Sequence, residues 1–257
     1  MKPHRIVLIG AGNVATHLAD TLFKKGFSIV QIYSRTEQSA KALSEQYAAP
    51  FITDIQQIER NADIYVYALK DDAIAVIAKQ NPAKKGLHLH TAGSVPMTVF
   101  AGLCENYGVI YPLQSFSKNR PVNFEEIPVF IEANTSDNLD MLWTFAKQIS
   151  KNVQETDSEK RKLLHLSAVF ACNFVNHLCV IAEKISNDAQ ISFENLLPLI
   201  QETVAKLHAL PPLNAQTGPA VRRDKLTMAK HIDLLKQMPQ EQKIYKLISE
   251  NIMRGGL

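Results

Sequence analysis

Arg5-Ile6-Val7-Leu8-Ile9 runs directly into Gly10-Ala11-Gly12-Asn13-Val14-Ala15, and an amphipathic helical pattern continues from Asn13 to Lys25. A strand, then G-x-G-x-x-A, then a helix is the arrangement of a dinucleotide-binding βα unit. Gly10 permits a tight turn, Gly12 lets the backbone approach a pyrophosphate, and the small Ala15 lets helix and strand pack closely. The helix N-terminus adds free N–H groups and a positive dipole end. Gly10, Ala11, Gly12, Asn13 and Val14 are the expected cofactor-binding turn.

Strand and helix signals alternate outward from this unit. Strands are expected at 28–33, 50–52, 63–69, 86–90, 108–111, 128–131 and 152–155. Helices are expected at 37–47, 71–79, 95–106 and 136–150, with a helical turn near 54–60. This succession predicts an α/β fold, a doubly wound, mostly parallel Rossmann-type sheet. After Asp157 the strand signal vanishes. Helical patterns cover 158–186 and 193–208, Leu210-Pro211-Pro212 interrupts them, and two or three further helices follow from Gly218 to Met253. The expected division is a dinucleotide-binding domain over 1–157 and an all-helical substrate or dimerisation domain over 158–257.

Composition limits the function classes. The 257 residues are 46% hydrophobic and 21% charged, with a formal net charge of +3, which fits a soluble globular protein and argues against nucleic acid. Cys104, Cys172 and Cys179 have no metal-binding spacing and an odd count, so reduced thiols and no metal are expected. A strand beginning at Arg5 leaves no room for a signal peptide, which makes a cytoplasmic protein the expectation. Leu163–Ile181 is apolar but carries His165, Asn173, Asn176 and His177, and reads as a buried helix with a polar seam.

The second strand ends in Tyr33-Ser34-Arg35-Thr36, where an NAD site usually has an acidic residue. No acid is present. Arg35 can pair with a 2′-phosphate and the Ser34 and Thr36 hydroxyls can donate to it, so NADP is the expected cofactor. The alternative is a solvated Arg35 and an enzyme indifferent to the phosphate.

Two further segments lie at strand ends facing the expected cleft, Ala68-Leu69-Lys70-Asp71-Asp72 and His90-Thr91-Ala92-Gly93-Ser94-Val95-Pro96. Leu69, Thr91, Ala92 and Gly93 are candidates for the nicotinamide end. Ser94 is a candidate for polar substrate atoms or a turn cap. In Tyr111-Pro112-Leu113-Gln114-Ser115-Phe116-Ser117, Gln114 and Ser115 bind substrate or only hydrogen-bond their own loop.

On an ideal helix Lys162, His165, Val169, Asn173 and Asn176 share one face, since eleven residues return within about 20°. Buried amides and cations need partners, so such a row suggests either an active site or an interhelical hydrogen-bond seam. Lys162 or His165 can deliver a proton, and Asn173 or Asn176 can orient a carbonyl. In Thr217-Gly218-Pro219-Ala220-Val221-Arg222-Arg223-Asp224, Gly218-Pro219 suits a helix start with Thr217 as cap. Arg222 or Arg223 can clamp a carboxylate, or pair with Asp224.

The segments Gly10–Ala15, His90–Pro96, Tyr111–Ser117, His165–Asn176 and Ala215–Asp224 together resemble a bacterial family joining a Rossmann-like NADP oxidoreductase domain to a C-terminal helical domain of unknown function. More distantly the chain resembles the superfamily of 6-phosphogluconate and β-hydroxyacid dehydrogenases, pyrroline-5-carboxylate reductase and ketopantoate reductase. That resemblance implicates Lys162, Asn173 and Asn176 at a substrate carbonyl and implies a homodimer formed through the helical domain. The superfamily's K-x-x-x-N is broken here by Leu166, which keeps His165 as a rival to Lys162. The expected activity is NADP-dependent interconversion of a small oxo acid and its hydroxy acid, with ketopantoate as a first substrate. The alternatives are hydride exchange between NADP and a deazaflavin, or a non-catalytic NADP-binding redox sensor.

Overall fold

The computed structural model describes residues 4–255. Its sheet has eight strands: β1 (Arg5–Ile9), β2 (Ser28–Tyr33), β3 (Phe51–Ile52), β4 (Ile64–Tyr67), β5 (Leu87–His90), β6 (Asn106–Pro112), β7 (Val129–Ala133) and β8 (Val153–Glu155). The spatial order is β3-β2-β1-β4-β5-β6-β7-β8. All pairs are parallel except β6 with β7, so β1 to β6 end at one edge while β7 and β8 run the other way. The strand order reverses between β1 and β4, the switch point at which open α/β sheets bind ligands.

The strands read as apolar runs because both faces are covered. Ile6 and Leu8 point into one core layer, with Leu18 and Leu22 of α1 (Asn13–Lys24), Leu43 of α2 (Glu37–Tyr47) and Phe145 of α4 (Ser136–Ile149). Val7 and Ile9 point into the other, with Ile74 and Ile77 of α3 (Asp71–Gln80) and Phe100. Burying an aliphatic side chain in such a layer contributes about 1.5–3 kcal/mol.

Beyond the sheet come α5 (Ser158–Ala168), a π-helical segment Val169–Phe174, α6 (Val175–Asp188), α7 (Leu197–Ala209), α8 (Pro212–Ala215), α9 (Lys225–Leu234) and α10 (Pro239–Met253). By compactness the chain divides into Met1–Cys172 and Asn173–Leu257. The first unit therefore holds α5 as well as the sheet.

Three local expectations are corrected. The helix expected over 95–106 is only a 3₁₀ turn, Met97–Phe100, between Pro96 and a Gly102 at φ +74°. No helix starts at Gly218-Pro219; Gly218 sits at φ +110° in a turn, and α9 starts later, where the Asp224 carboxylate accepts from Thr227 N–H at 3.0 Å. The apolar stretch within 158–188 is not buried by this chain. Leu163 is 66% and Phe170 62% exposed, and the continuous helix is long and apolar enough, by length and composition, to cross a membrane. Apolar composition signals burial but does not say what provides it.

Candidate active site at the strand ends

Gly10 holds the turn after β1 at φ +123°, and its N–H donates to Tyr33 O at 2.8 Å. A Cβ here would lie 2.2 Å from Ala68 O, so only glycine fits between β1 and β4. A cleft of about 600 Å³ opens at this switch point, lined by Gly10, Ala11, Gly12, Ser34, Arg35 and Leu69 among the expected cofactor residues. Ser39, Lys70, Asp72 and Lys118 line it as well. Arg35 is exposed and unpaired among the described residues. Thr36 occupies the N-cap position of α2 without a side-chain cap bond, leaving its hydroxyl available. Val14 packs against the core, and the Asn13 side chain donates to Phe116 O at 2.8 Å.

A second cluster lies at the same edge, after β5 and β6. The Tyr111 hydroxyl and His165 Nδ1 are 3.0 Å apart. A Cβ on Gly93 would meet His165 Cγ at 2.6 Å, so the imidazole rests on the backbone of the loop after β5. In that loop Thr91 Oγ1 reaches toward Tyr67 O at 3.5 Å, Ala92 N–H donates to His90 Nδ1 at 3.2 Å, and the Ser94 hydroxyl bonds the Asp71 carboxylate. Burial pushes the Tyr111 hydroxyl above the ordinary tyrosine range, with Arg161 pulling it back.

A buried ion pair places His165. Arg161 has a fully buried side chain paired with Glu132 of β7, and its Nη2 also donates to Val95 O at 2.6 Å. Ser158 donates its N–H to Glu132 Oε1 at 3.1 Å, and its hydroxyl accepts from Met97 N–H at 3.0 Å. Glu132 lies opposite Val109 in the ladder. One turn of α5 after Arg161 comes His165, so the helix that is tied to Glu132 through Arg161 also carries the imidazole that lies 3.0 Å from the Tyr111 hydroxyl.

Two histidines of β5 belong to the floor rather than the reacting surface. Asn81 Nδ2 donates to Tyr67 Oη at 2.6 Å, and that hydroxyl lies 3.1 Å from His88 Nδ1. Burial lowers His88 to about 4 and, together with Arg161, His90 to about 3, so both are neutral near pH 7.

Of the remaining candidates, Lys162, Gln114 and Ser115 are engaged locally in the first unit, and Asn173, Asn176, Arg222 and Arg223 belong to the second. Lys162 is paired with Glu159 at 2.7 Å on the surface of α5. Asn173 and Asn176 are exposed and lie in the second unit. The π-helical segment Val169–Phe174 breaks the regular angular step on which their alignment with Lys162 and His165 depended. Gln114 Oε1 accepts from Ser115 N–H at 2.7 Å, an internal loop bond. Arg222 is exposed, while Arg223, at φ +54°, lines a separate cleft of about 670 Å³ in the second unit with Gln216, Asn251 and Arg254. Among the described residues no group of His, Cys, Asp and Glu could hold a metal.

Sequence reasoning missed Tyr111, Arg161 and Glu132 as site residues. Tyr111 carried a signal, a polar-tipped aromatic at a strand end facing the cleft. Arg161 carried none, because Ser158-Glu159-Lys160-Arg161-Lys162 has the composition of a solvated first turn.

Residues 5–89 match the family described as NADP oxidoreductase, coenzyme F420-dependent, and residues 127–252 match a domain of unknown function, DUF2520. No curated protein matches the chain. The structure is similar to that of a "putative NADP oxidoreductase" from Bacteroides fragilis, with 44% identity, 98% of each chain covered and a TM-score of 0.92. It is also similar to a reductive aminase from Aspergillus terreus solved with NADPH and ethyl-5-oxohexanoate (13% identity, 99% and 95% covered, TM-score 0.71). A pyrroline-5-carboxylate reductase from Coxiella burnetii is a third (16% identity, 99% and 98% covered, TM-score 0.58). At those low identities the last two share the fold. The likeness to the Bacteroides protein, with the two successive matches, shows the family: the chain belongs to the NADP oxidoreductases that join a Rossmann-type nucleotide domain to a DUF2520 C-terminal domain.

Proposed function

We propose that the protein is an NADPH-dependent reductase acting on the carbonyl of a small oxo acid. The cleft residues fit the cofactor. The glycine turn suits a pyrophosphate, and Arg35 with Ser34 and Thr36 suits a 2′-phosphate at a position where an acid would repel it. NADPH, when bound, supplies the hydride.

The observation that carries the reading is the Tyr111–His165 pair beside Gly93, at the same sheet edge as the glycine turn. Hydride addition to a carbonyl leaves an alkoxide that must gain a proton. Tyr111 gives its hydroxyl proton to that oxygen and takes the Nδ1 proton of His165, whose ring regains one from solvent. The balance is one carbonyl, one NADPH and one proton giving one hydroxy acid and one NADP⁺. His165 is therefore favoured over Lys162, which is engaged by Glu159.

A fluorescence titration with NADPH and NADH, followed by a panel of 2-oxo and 3-oxo acids including ketopantoate, tests the reading. Preferential NADPH binding with oxidation by one acid supports it. Tight binding without turnover by any acid favours the sensor, and turnover only with a deazaflavin replaces the substrate class.

The exposed apolar side chains of α5 to α7, among them Leu163, Leu166 and Leu199, favour a second copy of the chain as their cover. Asn173, Asn176 and Lys184 within the same stretch weigh against lipid. Light scattering on a sizing column is expected to give twice the chain mass.

A further inference from the structure

We propose that Lys118 is a phosphate-binding residue of the nucleotide cleft, held against the cofactor pyrophosphate by a strap that follows β6. The proposal rests on the cofactor reading above and adds a residue that lies far outside the glycine-turn unit in sequence.

Lys118 lines the cleft together with Gly10, Gly12 and Arg35. Its place is built by contacts that begin on α1. Asn13, the first residue of that helix, donates its amide to Phe116 O at 2.8 Å. One turn further on, His17 Nε2 lies 2.9 Å from Ser117 O. A carbonyl only accepts, so this ring nitrogen carries the proton. The His17 ring also stacks on Phe116 with centroids 5.2 Å apart. Arg120 N–H closes a turn onto Ser117 O at 3.1 Å. The two residues before Lys118 are thus fixed to the helix whose N-terminus faces the cleft, and the turn after it is closed.

The charge at the cleft points to an anion. Arg35, Lys70 and Lys118 line it against the single carboxylate of Asp72. None of these cations is in an ion pair among the described residues, whereas the four lysines of α1, α2 and α5 (Lys24, Lys41, Lys160 and Lys162) each have a carboxylate partner. The strap contacts lie on Asn13 and His17 rather than at the end of β2. This associates Lys118 with the pyrophosphate, which NADH and NADPH share, and leaves the 2′-phosphate to Arg35.

The test is a fluorescence titration of the full-length protein, its Lys118→Ala, Lys118→Arg and Arg35→Ala variants, with NADPH and with NADH. An exposed, charge-assisted contact is worth up to about 1 kcal/mol, so Lys118→Ala should raise both dissociation constants by the same factor, about fivefold. Lys118→Arg should restore them, and raising the salt should erase the difference. Arg35→Ala should weaken NADPH alone. If Lys118→Ala binds both nucleotides like the parent, or weakens NADPH only, the proposal is overturned while the cofactor reading stands. If the parent binds neither nucleotide, both fail together.

Discussion

The hydroxyl of Tyr111 and Nδ1 of His165 face each other at 3.0 Å, one at the end of a strand and the other two turns into a helix. Replacing Tyr111 with Phe removes only the transferable proton, and His165→Gln removes its relay. Each should lower kcat on the accepted oxo acid by a hundredfold or more, the ordinary scale of general acid catalysis. NADPH affinity should stay within twofold. A Tyr111→Phe enzyme with full kcat would assign the proton to another group.

Gly93 is where the loop after β5 admits the imidazole. Gly93→Ala places a methyl 2.6–2.7 Å from His165 Cβ and Cγ, too close for either to stay. The displaced ring should cost activity more than the ~1–3 kcal/mol of overpacking costs stability. Thermal melts alongside rates separate the two losses.

Arg35 should set the preference between nucleotides. Removing its exposed guanidinium takes away a solvent-screened, charge-assisted contact worth up to about 1 kcal/mol, so Arg35→Ala should narrow the NADPH to NADH affinity ratio by about fivefold. An unchanged ratio would return Arg35 to the status of a solvated turn residue.

The Arg161–Glu132 pair should behave as a buried ion pair. Arg161→Met leaves the Glu132 carboxylate without its main partner and should destabilise by about 3–5 kcal/mol, on the order of 10 °C in Tm. The double variant Arg161→Met, Glu132→Leu should recover much of the stability without recovering activity, because the register of α5 is lost. Recovery of both would make the pair purely structural.

His88 and His90 should give the fold an acid-sensitive range. Both have a folded pKa depressed by burial, to about 4 and about 3, from the ordinary 6.5. Below pH 6.5 the unfolded chain takes up protons that the folded chain refuses. The stability these neutral rings contribute is therefore present above pH 6.5 and lost as pH falls toward 3. Each ring adds a slope of up to about 1.4 kcal/mol per pH unit across its own interval. Chemical denaturation between pH 7 and 4 should show the fall, and His88→Asn should flatten it. A flat parent profile would mean the rings are not desolvated as described.

The nucleotide half of the molecule was legible because its constraints are local. Gly10 needs a positive φ, the strands need apolar runs, and α1 needs a small Ala15, all within a few residues. The Arg35 position was readable for the same reason. His165 could be named from its type and placement, but its partner could not, because Tyr111 lies 54 residues away on β6 and only the folded chain brings the two together. The face shared with Asn173 and Asn176 presupposed an unbroken α-helix, and nothing in Val169-Phe170-Ala171-Cys172-Asn173-Phe174 announces a π segment. Arg161 looked solvated among its charged neighbours, and only the sheet shows why it is not.

The one-turn spacing of Arg161 and His165 also bears on how this chain can change over time. The count of residues between them is fixed by their separate partners, Glu132 and Tyr111, and one residue more or fewer would swing the imidazole about 100° off its mark. Substitution is open to the outward positions of that turn, but insertion and deletion are closed to it. Related chains should vary in length elsewhere, in loops such as the one between α7 and α9, and keep this one interval constant.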